Sequence, residues 1–103
     1  MSFFSKLEEI ENKYQELEQK LSSPEVFQDR EKYTEVAKAH SDLSDIVATF
    51  REYKRCRKEL EENNELANDS DEQIRELAEQ EISELEPKIE ELETKLRSYL
   101  LPK

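Results

Sequence analysis

The side chains that most often carry catalysis or bind metals are scarce in this 103-residue chain, which has one histidine, His40, and one cysteine, Cys56. A zinc site gathers three or four His, Cys or carboxylate ligands. A lone histidine and a lone cysteine sixteen positions apart match no ligand spacing, so no metal and no cofactor are expected. Cys56 lies between Arg55 and Arg57, cationic neighbours of the kind that activate a thiol, but it also falls on an apolar stripe and reads as packing. His40 falls on the same stripe and reads as a partly buried structural residue. Carboxylates are abundant, yet Glu61, Glu62 and Glu65 lie on a solvated helix face where nothing desolvates them, so acid–base catalysis has no candidate. No catalytic residue is expected, and the chain does not read as an enzyme. The one local departure from acidity is Arg51, Lys54, Arg55, Arg57 and Lys58, five basic residues among eight. Such a run either pairs with the acids of a neighbouring helix or forms a contact for RNA or an acidic protein.

The composition specifies the scaffold that must hold these residues. Glycine is absent, which excludes phosphate-cradling P-loops and dinucleotide fingerprints, both of which need glycines for their backbone geometry. Charged residues are 42% and apolar residues 34%, a balance that suits long paired helices burying one narrow stripe. The net charge of −11 repels nucleic-acid backbone and anionic lipid at long range. Non-specific nucleic-acid binding is thus not the expected main role, whereas a protein partner or a small basic patch facing RNA fits. A single cysteine cannot form an internal disulfide, which fits a cytoplasmic location. No apolar run approaches the roughly 20 residues of a membrane span, and the opening Met-Ser-Phe-Phe-Ser-Lys is too short in apolar residues for a signal peptide.

Hydrophobic spacing gives an all-α fold with three helices, about 3–22, 29–67 and 71–100. Phe3, Leu7, Ile10, Tyr14, Leu17 and Leu21 form a heptad seam in the first. Ser22-Ser23-Pro24 ends it, and Ser23-Pro24 suits the cap of a new short turn. In the second, Tyr33, Val36, His40, Leu43, Val47, Phe50, Leu60 and Ala67 keep the rhythm, while Ile46, Tyr53 and Cys56 widen the apolar face. Asn63, Asn64 and Asn68 supply left-handed backbone where glycine usually sits. The third opens with Ser70 and Gln73 at capping-box spacing and carries Ile74, Leu77, Leu85, Ile89, Leu92, Leu96 and Tyr99 on its stripe. Pro87 lies inside it and predicts a kink. The helices are about 30, 58 and 45 Å long at ~1.5 Å per residue. Unequal lengths predict an antiparallel three-helix bundle or coiled coil, one domain over 1–103, in which the long second helix and the third protrude as an arm tipped by residues 64–71. A two-helix arm buries its seam poorly, so weak self-association of the isolated chain is expected.

Several pieces in order resemble a known family: Leu21-Ser22-Ser23-Pro24-Glu25-Val26, Tyr33, Leu43-Ser44-Asp45-Ile46-Val47 with Tyr53, Ile74-Arg75-Glu76-Leu77-Ala78, and the terminal Leu100-Leu101-Pro102-Lys103. Together they resemble the N-terminal domain of bacterial class-1 peptide chain release factors, and the ending is more similar to the branch reading UAA and UAG. The resemblance implies a fragment of a longer chain that acts in translation termination. The family's Gly-Gly-Gln hydrolytic motif and its Pro-x-Thr codon reader are not in these residues, and Ser23-Pro24-Glu25 has glutamate where the sister branch's Ser-Pro-Phe reader has an aromatic. The resemblance further implies a helical extension reaching the GTPase-associated region of the large ribosomal subunit near its stalk-base protein, with the class-2 release-factor GTPase as another partner. Arg51, Lys54, Arg55, Arg57 and Lys58 are then the candidate ribosome or RNA contact. Two other readings stay open on composition alone: a structural or chaperone coiled coil, and a tRNA-binding helical arm like that of seryl-tRNA synthetases, against which the stripe on residues 3–21 argues.

Overall fold

The computed structural model describes residues 2–102. They form four helices and no strand among them: α1 (Phe3–Leu21), α2 (Pro24–Phe27), α3 (Arg30–Leu66) and α4 (Glu72–Tyr99). The all-α expectation holds, and the short turn anticipated at Ser23-Pro24 is α2, with Ser23 as N-cap and Pro24 in its first turn. Proline fits there because its missing N–H has no intrahelical partner to lose. Asp29 precedes α3 and its Oδ1 accepts from the Glu31 and Lys32 amides at 3.1 and 3.3 Å.

The chain divides into two compact units, residues up to Ala48 and residues from Thr49 onward, with α3 contributing to both. In the first, Leu7, Leu17, Ile46 and Val47 are buried. The ring of Tyr14 stacks on His40 with centroids 4.1 Å apart. Seven residues before Tyr14 and seven after His40, Leu7 and Val47 are both buried, whereas Tyr33, seven before His40, is exposed, the pattern of an antiparallel pair. Tyr33, counted on the stripe by its spacing, is instead exposed.

The second unit is a helical hairpin. Phe50, Tyr53, Cys56, Ala78, Leu85, Leu92 and Leu96 are buried, and Lys88 Nζ on α4 meets Glu52 Oε1 on α3 at 3.1 Å. Both partners of that ion pair lie about four turns from the connection, which fixes the antiparallel register. The Glu52 hydrogen bond, and then its charge, hold the Lys88 ammonium above its ordinary value of 10.5. A raised lysine stabilises below that value and loses its contribution as the pH climbs through the folded one, and exposure keeps the contribution small.

Three expectations change here. Leu77 is 64% exposed, and Ala78 takes the seam position beside it. Ala78, Leu85 and Leu92 are spaced by seven, whereas Leu77 is rotated about 100° from that line. The asparagines do not adopt left-handed backbone, since no described residue has a positive φ. Their amides bond back along the helix instead, Asn63 Nδ2 to the Glu59 carbonyl at 2.9 Å and Asn68 Nδ2 to the Asn64 carbonyl at 3.2 Å. The N-cap of α4 is Asp71 rather than Ser70; its Oδ1 accepts from the Gln73 amide at 2.9 Å. A carboxylate is the better acceptor at the positive end of a helix.

Candidate functional site

The basic run occupies two turns of α3 inside the hairpin unit. At 100° per residue, Arg51, Lys54, Arg55 and Lys58 (i, i+3, i+4, i+7) fall within an arc of about 100° pointing away from the buried line of Phe50, Tyr53 and Cys56. Arg51, Arg55 and Lys58 are exposed, and Lys54 is half-buried. Lys54 Nζ sits 4.6 Å from the centroid of the Phe50 ring, a cation–π contact that orients its ammonium. Arg55 Nη1 donates to Glu59 Oε1 at 3.1 Å, one turn along the same helix.

Arg57 does not join them. It lies at the seam edge, its guanidinium carbon 5.6 Å from the Tyr53 centroid, and Nη1 donates to the Tyr53 hydroxyl at 3.2 Å. Tyr53 in turn donates to Glu93 Oε2 on α4 at 3.4 Å, and Arg97 holds the other Glu93 oxygen at 2.8 Å. Arg57 is thus tied into the hairpin, while the other four form one outward stripe. Adjacent numbers concealed that division; helical rotation separates them.

At the hairpin tip, Arg75 Nη1 donates to the carbonyls of Asp69 and Ser70 at 2.8 and 3.1 Å. This clamp on a glycine-free connection was not foreseen from spacing, because Arg75 lies off the apolar stripe. Glu62, Glu65, Glu72 and Glu76 occupy exposed positions in the turns that flank the connection, so the tip is acidic, and Leu66 beside it is 45% exposed.

His40 and Cys56 keep the structural places expected of them. Cys56 is buried. His40 Nε2 is buried without a hydrogen-bond partner, and the nearest acid, Glu18 Oε1, stands 4.0 Å away, beyond bonding distance. His40→Phe keeps a ring on Tyr14 and removes that nitrogen. Thermal unfolding is therefore expected to show equal or higher stability, by up to about 1 kcal/mol, whereas His40→Ala loses the stack and about as much. Among the described residues no group of three or more His, Cys, Asp or Glu is placed to hold a metal ion. No helix among them is long and apolar enough to cross a membrane.

Comparison with known proteins decides the family. The PCRF domain model matches residues 10–103. The chain belongs to the PCRF domain family. This PCRF domain is 50% identical over 100 residues to "Peptide chain release factor 1" of Maridesulfovibrio salexigens, covering 97% of the chain. It is 51% identical over the same length to the protein of that name from Solidesulfovibrio magneticus, and 46% identical over 95 residues to the one from Clostridium botulinum, covering 91% of the chain. The chain spans about 28% of the length of the first two relatives and 26% of the third. No solved structure matches it. The PCRF match takes in all five residues of the basic run, the hairpin and its tip.

Proposed function

We propose that this PCRF domain is the N-terminal helical part of a release factor that acts in translation termination at UAA and UAG. The observation that carries the reading is the 50% identity across 97% of the chain to proteins named peptide chain release factor 1. Codon reading and peptidyl-tRNA hydrolysis then belong to other parts of the factor, and these residues work by placement. A helical hairpin with an acidic, clamped tip is a rigid spacer suited to protein contact, which fits the GTPase-associated region of the large subunit and its stalk-base protein as the docking place. The class-2 release-factor GTPase is a second partner in this reading. Weak self-association of the isolated chain belongs to it too, and a monomer mass that stays constant in sedimentation into the millimolar range removes that part.

The test is co-sedimentation of the chain with purified ribosomal subunits. Binding to large subunits, and not to small ones, is the expected result. A chain that pellets with neither, while circular dichroism shows it helical, overturns the ribosomal placement.

A further inference from the structure

We propose that the outward stripe of α3, formed by Arg51, Lys54, Arg55 and Lys58, is a contact for the phosphate backbone of double-helical RNA. The proposal rests on the ribosomal reading above and names the chemistry of one contact within it.

Four cations over two helical turns span about 10 Å, enough to meet a few successive phosphates and no more. Protein interfaces concentrate their energy in aromatic or apolar anchors within a dry centre. The stripe has none: the two aromatics beneath it, Phe50 and Tyr53, are 1% and 3% exposed. Single-stranded RNA is held by bases stacked on exposed aromatic rings, and buried rings cannot serve. Duplex RNA, by contrast, is recognised largely through its shape, its phosphates and its 2′-hydroxyls. Cations arrayed on a rigid rod suit that backbone.

The surroundings set the footprint. Glu62 and Glu65 continue the same outward face toward the tip, and the chain carries −11 overall. Phosphates are therefore repelled on the tip side of these two turns, which limits how far along α3 toward the tip an RNA duplex can rest. Glu59 bonds Arg55 along the same helix, so a phosphate that meets Arg55 competes with that carboxylate. Arg57, bonded to Tyr53 at the seam edge, takes no part. Contacts of this kind position without reading sequence.

The experiment titrates the chain onto large ribosomal subunits and, separately, onto a mixed-sequence RNA duplex at several salt concentrations. Both are expected to bind, with log K falling against log salt at a slope of about −3. The double variant Arg51→Glu/Lys58→Glu is expected to weaken both by about tenfold or more and to reduce the slope by about two. Arg57→Glu makes the same charge change as Arg51→Glu but is expected to leave binding within about twofold, with circular dichroism verifying that each variant is folded. Duplex binding that is absent while large-subunit binding is lost in the double variant overturns the proposal in favour of an acidic protein. Unchanged affinity of the double variant removes the stripe from any contact. Equal losses for Arg51→Glu and Arg57→Glu reduce the effect to bulk charge and also overturn it. Duplex binding that behaves as expected beside no large-subunit binding defeats the ribosomal reading and leaves the phosphate contact standing.

Discussion

Phe50→Ala is expected to destabilise the hairpin unit by about 3–5 kcal/mol, read as a lower urea midpoint at unchanged slope. Phe50 heads the fully buried side chains by volume. Its removal forfeits the transfer energy of a whole ring and leaves a cavity that two helices joined by a short connection collapse into only in part. The same ring orients the Lys54 ammonium, so the variant also disturbs one member of the basic stripe. Domains of this size carry about 5–15 kcal/mol in total, so the loss takes a large share of the available stability. Leu77→Ala is the control, because its side chain is 64% exposed and its loss is expected to change stability by no more than about 0.5 kcal/mol. A Leu77→Ala effect as large as that of Phe50→Ala would restore Leu77 to the seam and contradict the register described above.

Pro87→Ala is expected to act in the opposite direction, raising stability by about 2 kcal/mol. α4 runs from Glu72 to Tyr99 with Pro87 inside it and exposed. Proline has no N–H to give the Ser83 carbonyl, and its ring crowds that carbonyl, at a cost of roughly 3 kcal/mol. Alanine restores the bond but frees the unfolded chain, which returns about 0.4–1 kcal/mol of the gain. Thermal unfolding checks the sign. A fall in stability would mean that the seam at Leu85 and Leu92 depends on the backbone that Pro87 imposes. A rise in stability with weaker large-subunit binding would mean that Pro87 is kept for recognition, a stability cost carried at a functional surface.

Helix positions and most of the core were legible in the sequence. Leu7, Leu17, Val47, Phe50, Leu85, Leu92 and Leu96 lie on the stripes that spacing assigns, and all are buried. Ile46, Tyr53 and Cys56, which widen the apolar face of α3 by their spacing, are buried too. Burial on a helix is a matter of angle, and seven residues advance close to two full turns. The same arithmetic explains the error at Leu77. A short apolar run permits a line through Leu77 or through Ala78, and hydropathy favours the larger side chain. Only the facing helix selects Ala78, since a methyl group fits where a five-residue connection draws two helices together. Turn chemistry was also under-determined. Asparagine suits left-handed backbone, but its amide can equally bond a carbonyl one turn back, and this chain takes the second course at Asn63 and Asn68.

The candidate site was half visible. The run of basic residues was plain in the chain, yet its membership depended on rotation about α3 and on which members bond at the seam edge. Arg57 leaves the stripe because the Tyr53 hydroxyl and Glu93 form a polar line at the seam edge, and no spacing rule places Glu93 opposite residue 53. By itself, the sequence determined the helical class, the absence of glycine-dependent phosphate loops, the apolar stripes and the sign of the surface, because these follow from composition and from the 3.6-residue period. The tertiary structure alone decided the register between α3 and α4, the seam place of Ala78, the Arg75 clamp and the division of the basic run. The register and the seam place of Ala78 depend on which residues meet across helices distant in sequence, whereas the clamp and the division depend on side-chain bonds that spacing leaves open: Arg75 to the connection carbonyls and Arg57 to a tyrosine that itself bonds Glu93 on α4.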